Sequence, residues 1–260
     1  MQRLAKNNGG YCGETIDIPK VLREIEQAVA GKNWVRDLVP LPSSTAAQPL
    51  NFIAYRRQLA SPRKRIYIST GIHGDEPAGP LAALQLFQED RWPADAAVWL
   101  CPCLNPTGFM LNRRENSRGI DQNRDYRHFQ TEEVRAHTDW LKLQPGFDIS
   151  LCLHEDWESN GFYIYEVNPD QRASLAERII EAAAKVCPIE SAALVDDWPA
   201  ENGIIRPLFK PEDRPLWPEA LYLITNKSRL SYTLEAPSDF PMATRVSALV
   251  AAVRTVLDQL

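Results

Sequence analysis

Three potential metal ligands stand where they could meet. His73 and Glu76 are three residues apart in HGDE, directly after an apolar run that is typical of a strand. His154 ends a second such run, ISLCLH. An isolated HxxE pair is also common on protein surfaces, so the third ligand carries the argument. Because the carboxyl ends of strands in an α/β sheet are where ligands bind, we expect the three side chains to converge there. Two imidazoles and one carboxylate with an open fourth position are typical of a catalytic zinc site.

Other polar residues could act on a substrate beside such a metal. A polar stretch from Asn105 to Tyr126, with Arg127 just past it, is rich in arginine, whose planar guanidinium group suits a carboxylate or a developing oxyanion. The same stretch also fits a solvated loop. Glu235 ends an apolar run in TLEAP, so it is either a functional acid or an edge acid paired with an arginine. The arginines are Arg113, Arg114, Arg118, Arg124 and Arg127.

The elements that must position these residues alternate between strand and helix from residue 50 onward. Near-continuous apolar strands between helices predict an α/β sheet that is covered on both faces. Strands are predicted at Asn51–Gln58, Arg65–Thr70, Val98–Leu104, Asp148–His154, Phe162–Val167, Leu221–Thr225 and Leu230–Leu234. Helices are predicted in PLAALQLF and at Thr131–Leu143, Ala173–Val186 and Met242–Leu260, and the proline-rich stretch Pro188–Pro218 is predicted to be irregular.

The first part of the chain has a different texture. It holds one short amphipathic pattern, IPKVLREIEQAVA, which prolines and a polar run then end. We interpret residues 1–45 as a lead-in segment and residues 46–260 as a single catalytic domain.

Composition excludes several function classes. The formal net charge of -5 argues against a nucleic-acid partner. No apolar run reaches the roughly 20 residues that a membrane span needs, and the first residues lack the apolar core of a secretory signal. We therefore expect a cytoplasmic protein with no membrane partner. No GxGxxG, GxxxxGK[ST] or GxSxG segment is present, which argues against a nucleotide-binding protein or a serine hydrolase.

The cysteines and the two remaining histidines are predicted to lie outside the functional site. The five cysteines form no CxxC pair, so we predict buried free thiols rather than disulfides or a thiolate zinc site. His128 and His137 fall in a polar loop and a helix, and both are predicted to lie at the surface.

Five motifs together resemble a known family. HGDE, LNPTGF, NSRGIDQNRDY, LCLHED and YTLEAPSDF follow, in order and spacing, the zinc carboxypeptidase superfamily, which includes the succinylglutamate desuccinylase/aspartoacylase branch. The resemblance runs from about Arg65 to Asp239. It implies a three-layer α/β sandwich with a mostly parallel or mixed central sheet flanked by helices. It also implies metal-assisted hydrolysis of an amide bond.

The resemblance assigns roles by position in these motifs. It implies one zinc ion per chain, a general acid/base, an arginine that stabilises the oxyanion, and a pair of residues that hold a substrate carboxylate. The matching positions are the metal ligands His73, Glu76 and His154, the acid/base Glu235, the oxyanion-binding Arg114, the carboxylate-binding Asn123 and Arg124, and Asp121, which orients the first histidine.

Two positions depart from the family pattern. Small-enzyme members often carry an acid two residues before the final histidine ligand, and Cys152 stands there in this chain. Digestive members place a substrate-capping tyrosine well before the catalytic glutamate. Tyr222 is the nearest candidate here, at a shorter spacing, with Tyr163 and Tyr165 as other possibilities.

The substrate is expected to be small and to carry a free carboxylate. Carboxypeptidase-like cleavage of a short peptide is favoured because NSRGIDQNRDY is closer to the carboxypeptidase side of the superfamily. The alternatives are an N-acyl amino acid deacylase and a non-catalytic zinc- or ligand-binding module on the same fold.

Overall fold

A ten-stranded mixed sheet runs through the computed structural model, which describes residues 14–43 and 51–259. The strands are β1 Val35–Pro40, β2 Asn51–Arg57, β3 Lys64–Thr70, β4 Ala96–Cys101, β5 Ile149–Asp156, β6 Tyr163–Val167, β7 Leu194–Val195, β8 Trp198–Glu201, β9 Ile204–Ile205 and β10 Ser231–Pro237. Their order is β1-β2-β4-β3-β5-β10-β6-β9-β8-β7. The central strands β4, β3, β5 and β10 are parallel to one another, and most of the flanking pairs are antiparallel.

Within the described residues, seven α-helices cover the two faces of this sheet. They are α1 Ile18–Val29, α2 Ala78–Glu89, α3 Pro106–Leu111, α4 Glu132–Lys142, α5 Ala176–Ala183, α6 Glu219–Asn226 and α7 Met242–Asp258. Short 3₁₀ turns lie at Gln122–Arg124 and Pro211–Asp213. Helices α1, α2, α5 and α7 form the back layer, and α4 and α6 form the front layer.

Successive residues of the central strands alternate between these layers. In β5, Leu151 and Leu153 are buried against the back layer, whereas Cys152 is buried against the front layer. Both faces are therefore apolar, as expected for parallel strands covered on both sides. The arrangement confirms the predicted three-layer α/β sandwich with a mixed central sheet.

The described part of the lead-in segment packs onto this sheet. Helix α1 buries Ile18, Val21, Ile25 and Val29, whose helical spacing places them on one face, in the same cluster as α2. Strand β1 pairs with β2 at the sheet edge. The division of the chain at residue 45 falls within residues 44–50, outside the described residues, so the two-part division stays a prediction.

Three local predictions are wrong. The predicted strand Leu221–Thr225 lies within helix α6, because a short apolar run does not by itself distinguish a strand from a buried helix. The stretch Pro188–Pro218 contains the short strands β7, β8 and β9 rather than only irregular chain. His137 is buried, since α4 turns it inward together with Val134 and Leu141 at helical spacing.

The prediction of buried free thiols is confirmed for the cysteines among the described residues. Cys101, Cys103, Cys152 and Cys187 are free and buried, and Cys12 lies outside the described residues. None of the described helices combines the length and the apolar character that crossing a membrane requires.

Candidate active site

The loop after β3 is held in place by the LNPTGF segment. The buried Asn105 donates from Nδ2 to the carbonyl oxygens of Ile72 and Arg114, at 3.1 and 3.2 Å. A Cβ atom on Gly74 would collide with the backbone of Gly108, so only glycine allows the two segments to approach this closely. The local packing therefore fixes the segment that carries His73.

The three predicted metal ligands meet at the carboxyl ends of β3 and β5. His73 Nδ1 lies 2.5 Å from Glu76 Oε1, and His154 Nδ1 lies 3.0 Å from Glu76 Oε2. All three side chains are buried, and their ligand atoms lie within 4.8 Å of one another. Two imidazole nitrogens and a carboxylate that face one point are a donor set that suits zinc, so these residues fit the implied ion.

The charges of these three side chains depend on one another. Burial would raise the pKa of Glu76, but the two imidazoles outweigh burial and hold that pKa well below its usual range. Burial lowers the pKa of His154, although Glu76 opposes the shift. For His73 burial acts in the same direction, but the carboxylates of Glu76 and Asp121 raise the pKa overall. The cluster thus holds an ionised carboxylate between two imidazoles.

Asp121 links the three side chains of the metal cluster, His73, Glu76 and His154, to the arginine-rich loop. Its Oδ1 lies 3.3 Å from Nε2 of His73, and its Oδ2 accepts from Arg114 Nε at 2.9 Å. Oδ1 also accepts from the backbone N–H of Asn123 at 2.8 Å. The turn before Asp121 ends at Gly119, whose φ of +74° favours glycine. An acid that contacts the second nitrogen of a ligating histidine fixes the orientation of the imidazole ring.

Four of the residues predicted to contact substrate, Arg114, Asn123, Arg124 and Glu235, line one cavity of about 690 Å³. Arg114 Nη1 lies 3.3 Å from His73 Nδ1 and 3.8 Å from Glu76 Oε1, at the edge of the metal cluster. Asn123 and Arg124 line the same cavity, and Arg124 Nη1 donates to the Asn123 carbonyl at 2.8 Å. Groups that can donate hydrogen bonds to an anion therefore line the cavity close to the metal ligands.

Glu235 enters this cavity from β10. The strand lies between β5 and β6, so Glu235 is next to His154 on one side and Tyr163 on the other. Burial raises the pKa of Glu235 well above its usual range, and the neighbouring carboxylates of Glu76 and Asp156 add to the shift. A carboxyl group with a raised pKa is suited to exchanging protons near neutral pH.

The side of the cavity beyond Glu235 is acidic and aromatic. Tyr163 donates to Asp156 Oδ2 at 3.1 Å, and Tyr165 donates to Asp196 Oδ2 at 2.8 Å. All four residues line the cavity. The cavity is also lined by Lys210 and Arg214, so acidic and basic side chains are mixed along its wall.

Tyr222 does not join this group. Its side chain is buried in the front layer, with ring centroids 5.7 Å from Tyr126 and 6.1 Å from Phe129. The residues of α6 that reach the cavity are Ala220 and Leu221. We therefore do not extend a substrate-binding role to Tyr222, and its burial follows from the helix that replaces the predicted strand.

Two buried acids near the site have structural roles that the sequence did not predict. Glu155 accepts from Ala78 N at 2.5 Å and from Arg245 Nη1 at 2.6 Å, which clamps the end of β5 between α2 and α7. Glu219 accepts from Tyr67 and Ser69 on β3, each at 2.8 Å. Both acids bond partners far away in sequence, so no local motif indicates their role.

A comparison with models of known protein families identifies the family of this chain. Residues 62–197 match the succinylglutamate desuccinylase/aspartoacylase catalytic domain. The chain belongs to this family. It therefore lies within the zinc carboxypeptidase superfamily that the motifs resemble, and membership indicates a metal-dependent hydrolase. No curated protein matches the chain.

Solved structures share the fold across most of this family member. A Shewanella denitrificans protein, proposed to be a metallopeptidase, is 22% identical with a TM-score of 0.80 over 97% of this chain and 98% of its own. A Pseudomonas aeruginosa metallo-carboxypeptidase, in complex with (2-guanidinoethylmercapto)succinic acid, is 18% identical with a TM-score of 0.67 over 95% and 70%. A Silicibacter succinylglutamate desuccinylase is 15% identical with a TM-score of 0.58 over 89% and 68%.

Proposed function

We propose that this protein hydrolyses an amide bond next to a free carboxylate, as a zinc-dependent enzyme that cleaves short peptides in the manner of a carboxypeptidase. The observation that carries the proposal is one cavity that holds both the His73, Glu76 and His154 cluster and Glu235. A metal donor set beside an acid that can exchange protons is an arrangement that supports metal-assisted amide hydrolysis.

One zinc ion would be held by the two imidazoles and the carboxylate of this cluster. When bound, it supplies Lewis acidity that lowers the pKa of a water molecule and polarises a carbonyl group. Asp121 keeps His73 oriented through Nε2, at 3.3 Å.

The remaining steps belong to side chains of the cavity. Asn123 and Arg124 bind the substrate carboxylate, which fixes the scissile bond in the cavity. Glu235 takes a proton from the attacking water and delivers it to the leaving nitrogen, two transfers that its place beside His154 on the neighbouring strand allows. Arg114 lies beside the metal cluster, where its guanidinium stabilises the oxyanion as negative charge develops.

Peptide cleavage is favoured over removal of a succinyl group because the NSRGIDQNRDY segment is closer to the carboxypeptidase side of the superfamily. The family match supports N-acyl amino acid hydrolysis as the second candidate function.

The test is metal analysis combined with hydrolysis of a panel of short peptides and N-acyl amino acids. We expect about one zinc per chain and cleavage within the panel. Glu235→Gln should keep the metal and lose about 10²–10⁴-fold in kcat. Glu24→Gln, an exposed glutamate on α1, is the matched control and should behave as wild type. A chain that takes up no zinc would overturn the proposal. Zinc binding without cleavage of any substrate would favour a non-catalytic binding module.

A further inference from the structure

We propose that Glu219 is a positioning residue for the substrate carboxylate and that it acts through Asn123. The inference rests on the proposed function, in which Asn123 binds that carboxylate. Glu219 is the first residue of α6 and is almost fully buried, at 1% exposure. Glu219 is not among the residues that line the cavity, so its effect has to pass through other groups.

The first link joins Glu219 directly to Asn123. The backbone N–H of Glu219 donates to Asn123 Oδ1 at 2.8 Å. This bond determines which end of the carboxamide faces the cavity, because the oxygen is turned toward α6. The Nδ2 group is then the end available to a ligand, and it can only donate. A fixed donor suits a carboxylate, whereas a rotated carboxamide would present a repelling oxygen.

The second link anchors the backbone that provides this N–H. The Glu219 carboxylate accepts from Tyr67 Oη and Ser69 Oγ, each at 2.8 Å, on the strand that leads to His73. The carboxylate therefore ties the start of α6 to the same strand end that supports the metal cluster. Ala220 and Leu221, the next two residues of α6, line the cavity.

Further hydrogen bonds stiffen the anchor. Tyr67 Oη lies 2.8 Å from His137 Nε2, and Tyr126 Oη lies 2.7 Å from His137 Nδ1. Because Tyr67 uses its hydrogen on Glu219, its oxygen accepts from His137 Nε2–H, and Nδ1 is left to accept from Tyr126. Each hydroxyl group and ring nitrogen thus has a consistent role as hydrogen-bond donor or acceptor. A buried network that is fully satisfied in this way holds its members rigidly.

At about pH 8, above the raised pKa of Glu219, the carboxyl group is ionised, and Glu219→Gln should disturb this anchor with little change in volume. A glutamine amide can accept from one of the two hydroxyls, but its NH₂ group would then face the other. We expect KM for a peptide with a free carboxylate to rise about tenfold while kcat at saturation stays within about twofold. The preference for the free acid over the corresponding peptide amide should fall by a similar factor, because the carboxylate contact is the one lost.

A matched control separates this role from general stability. Glu166 is also buried and also accepts from a tyrosine, Tyr232 Oη, at 3.1 Å, but it lies on β6 with its carboxylate paired to Arg206. Glu166→Gln makes the same chemical change away from Asn123. We expect it to leave KM and the acid-over-amide preference unchanged, whatever it does to the melting temperature.

A double-mutant cycle tests whether Glu219 acts through Asn123. Wild type, Glu219→Gln, Asn123→Ala and the double variant are compared for KM and for the acid-over-amide preference. We expect the double variant to be no worse than Asn123→Ala alone. Additive losses, or an unchanged preference in Glu219→Gln, would overturn this inference and leave the proposed function standing. A metal-loaded wild type that neither binds nor cleaves any peptide of the panel would overturn both.

Ser69→Ala provides a second variant in case Glu219→Gln fails to fold. It removes one of the two anchoring hydrogen bonds, so it should show the same change in smaller degree. No change in Ser69→Ala would count against the inference.

Discussion

Asp121 connects three parts of the site with a single carboxylate. It contacts the second nitrogen of His73, it bonds the guanidinium of Arg114, and it caps the turn that carries Asn123. Burial would raise the pKa of Asp121, but His73 and Arg114 outweigh burial and keep the carboxyl group ionised. One residue thus orients a metal ligand, an oxyanion donor and a substrate contact together.

At the residue scale we therefore expect Asp121→Asn to weaken metal binding. The asparagine keeps the shape of the side chain but removes the charge that orients His73. We expect about 10–100-fold weaker zinc affinity, measured by competition with a chromogenic chelator. Asp139→Asn is the matched control, since Asp139 is an exposed residue of α4 that bonds only Lys142 among the contacts described. Unchanged affinity in Asp121→Asn would mean that Asp121 acts on Arg114 rather than on the metal.

At the element scale the loop after β3 depends on close contact with α3. Gly74→Ala would force the loop away from Gly108, because the new methyl group has no space there. We expect a loss of both unfolding free energy and zinc affinity, measured by urea unfolding of the metal-free protein and by chelator competition. Gly146→Ala is the matched control, since its methyl group would meet only Lys227 O at an ordinary 3.5 Å. A Gly74→Ala variant that bound zinc as tightly as wild type would show that this contact does not position the ligands.

The buried pair of Glu155 and Arg245 ties α7 to the strand end that carries His154. Both side chains are at most 1% exposed, and the Nη1–Oε2 distance is 2.6 Å. Arg245→Met would leave the Glu155 carboxylate buried without its cation. We expect a loss of about 3–5 kcal/mol in the free energy of unfolding, measured with urea.

A second arginine of the same helix provides the comparison. Arg254 pairs with Glu89 at 2.8 Å, but the Glu89 side chain is 30% exposed and can regain water when the pair is broken. Arg254→Met should therefore cost less, about 1–2 kcal/mol. Equal losses in the two variants would indicate that side-chain packing, rather than the buried charge, determines the effect of Arg245→Met.

At the scale of the whole molecule, the sequence predicts what depends on local pattern. The alternation of apolar strands and helices is enough to predict the layered α/β architecture, and the strand-end positions of His73 and His154 are enough to predict that they meet. The burial of Tyr222 and of His137 could not be predicted from the sequence, for one reason. Each depends on which face of a helix the sheet covers, and short helices such as α6 carry a weak periodic signal.

The buried network around Glu219 could not be predicted because its members are far apart in sequence. It draws Tyr67 and Ser69 from β3, His137 from α4 and Glu219 from α6. In the family pattern an acid often stands at the position of Cys152, and in this chain the carboxylate next to Cys152 is that of Glu219. Only the folded chain brings the two together.

Two members of this network should respond to pH in opposite directions. Burial lowers the pKa of His137 from 6.5 to about 3, so its contribution to stability is complete above pH 6.5 and is lost as the pH falls toward 3. Burial raises the pKa of Glu219 from 4.5 to about 7, although Tyr67, Ser69 and Cys152 oppose the shift through hydrogen bonds. Its contribution is complete below pH 4.5 and is lost as the pH rises through 7.

Between pH 5 and pH 7 the two contributions should therefore nearly cancel in the wild-type protein. Each amounts to about 2 kcal/mol over this interval, from the pKa differences and 1.36 kcal/mol per pKa unit. Relative to wild type, His137→Gln should gain about 2 kcal/mol at pH 5 compared with pH 7, and Glu219→Gln should lose a similar amount. Urea unfolding at both pH values measures these differences. Parallel pH profiles for the three would mean that neither buried group keeps a shifted pKa in the folded chain.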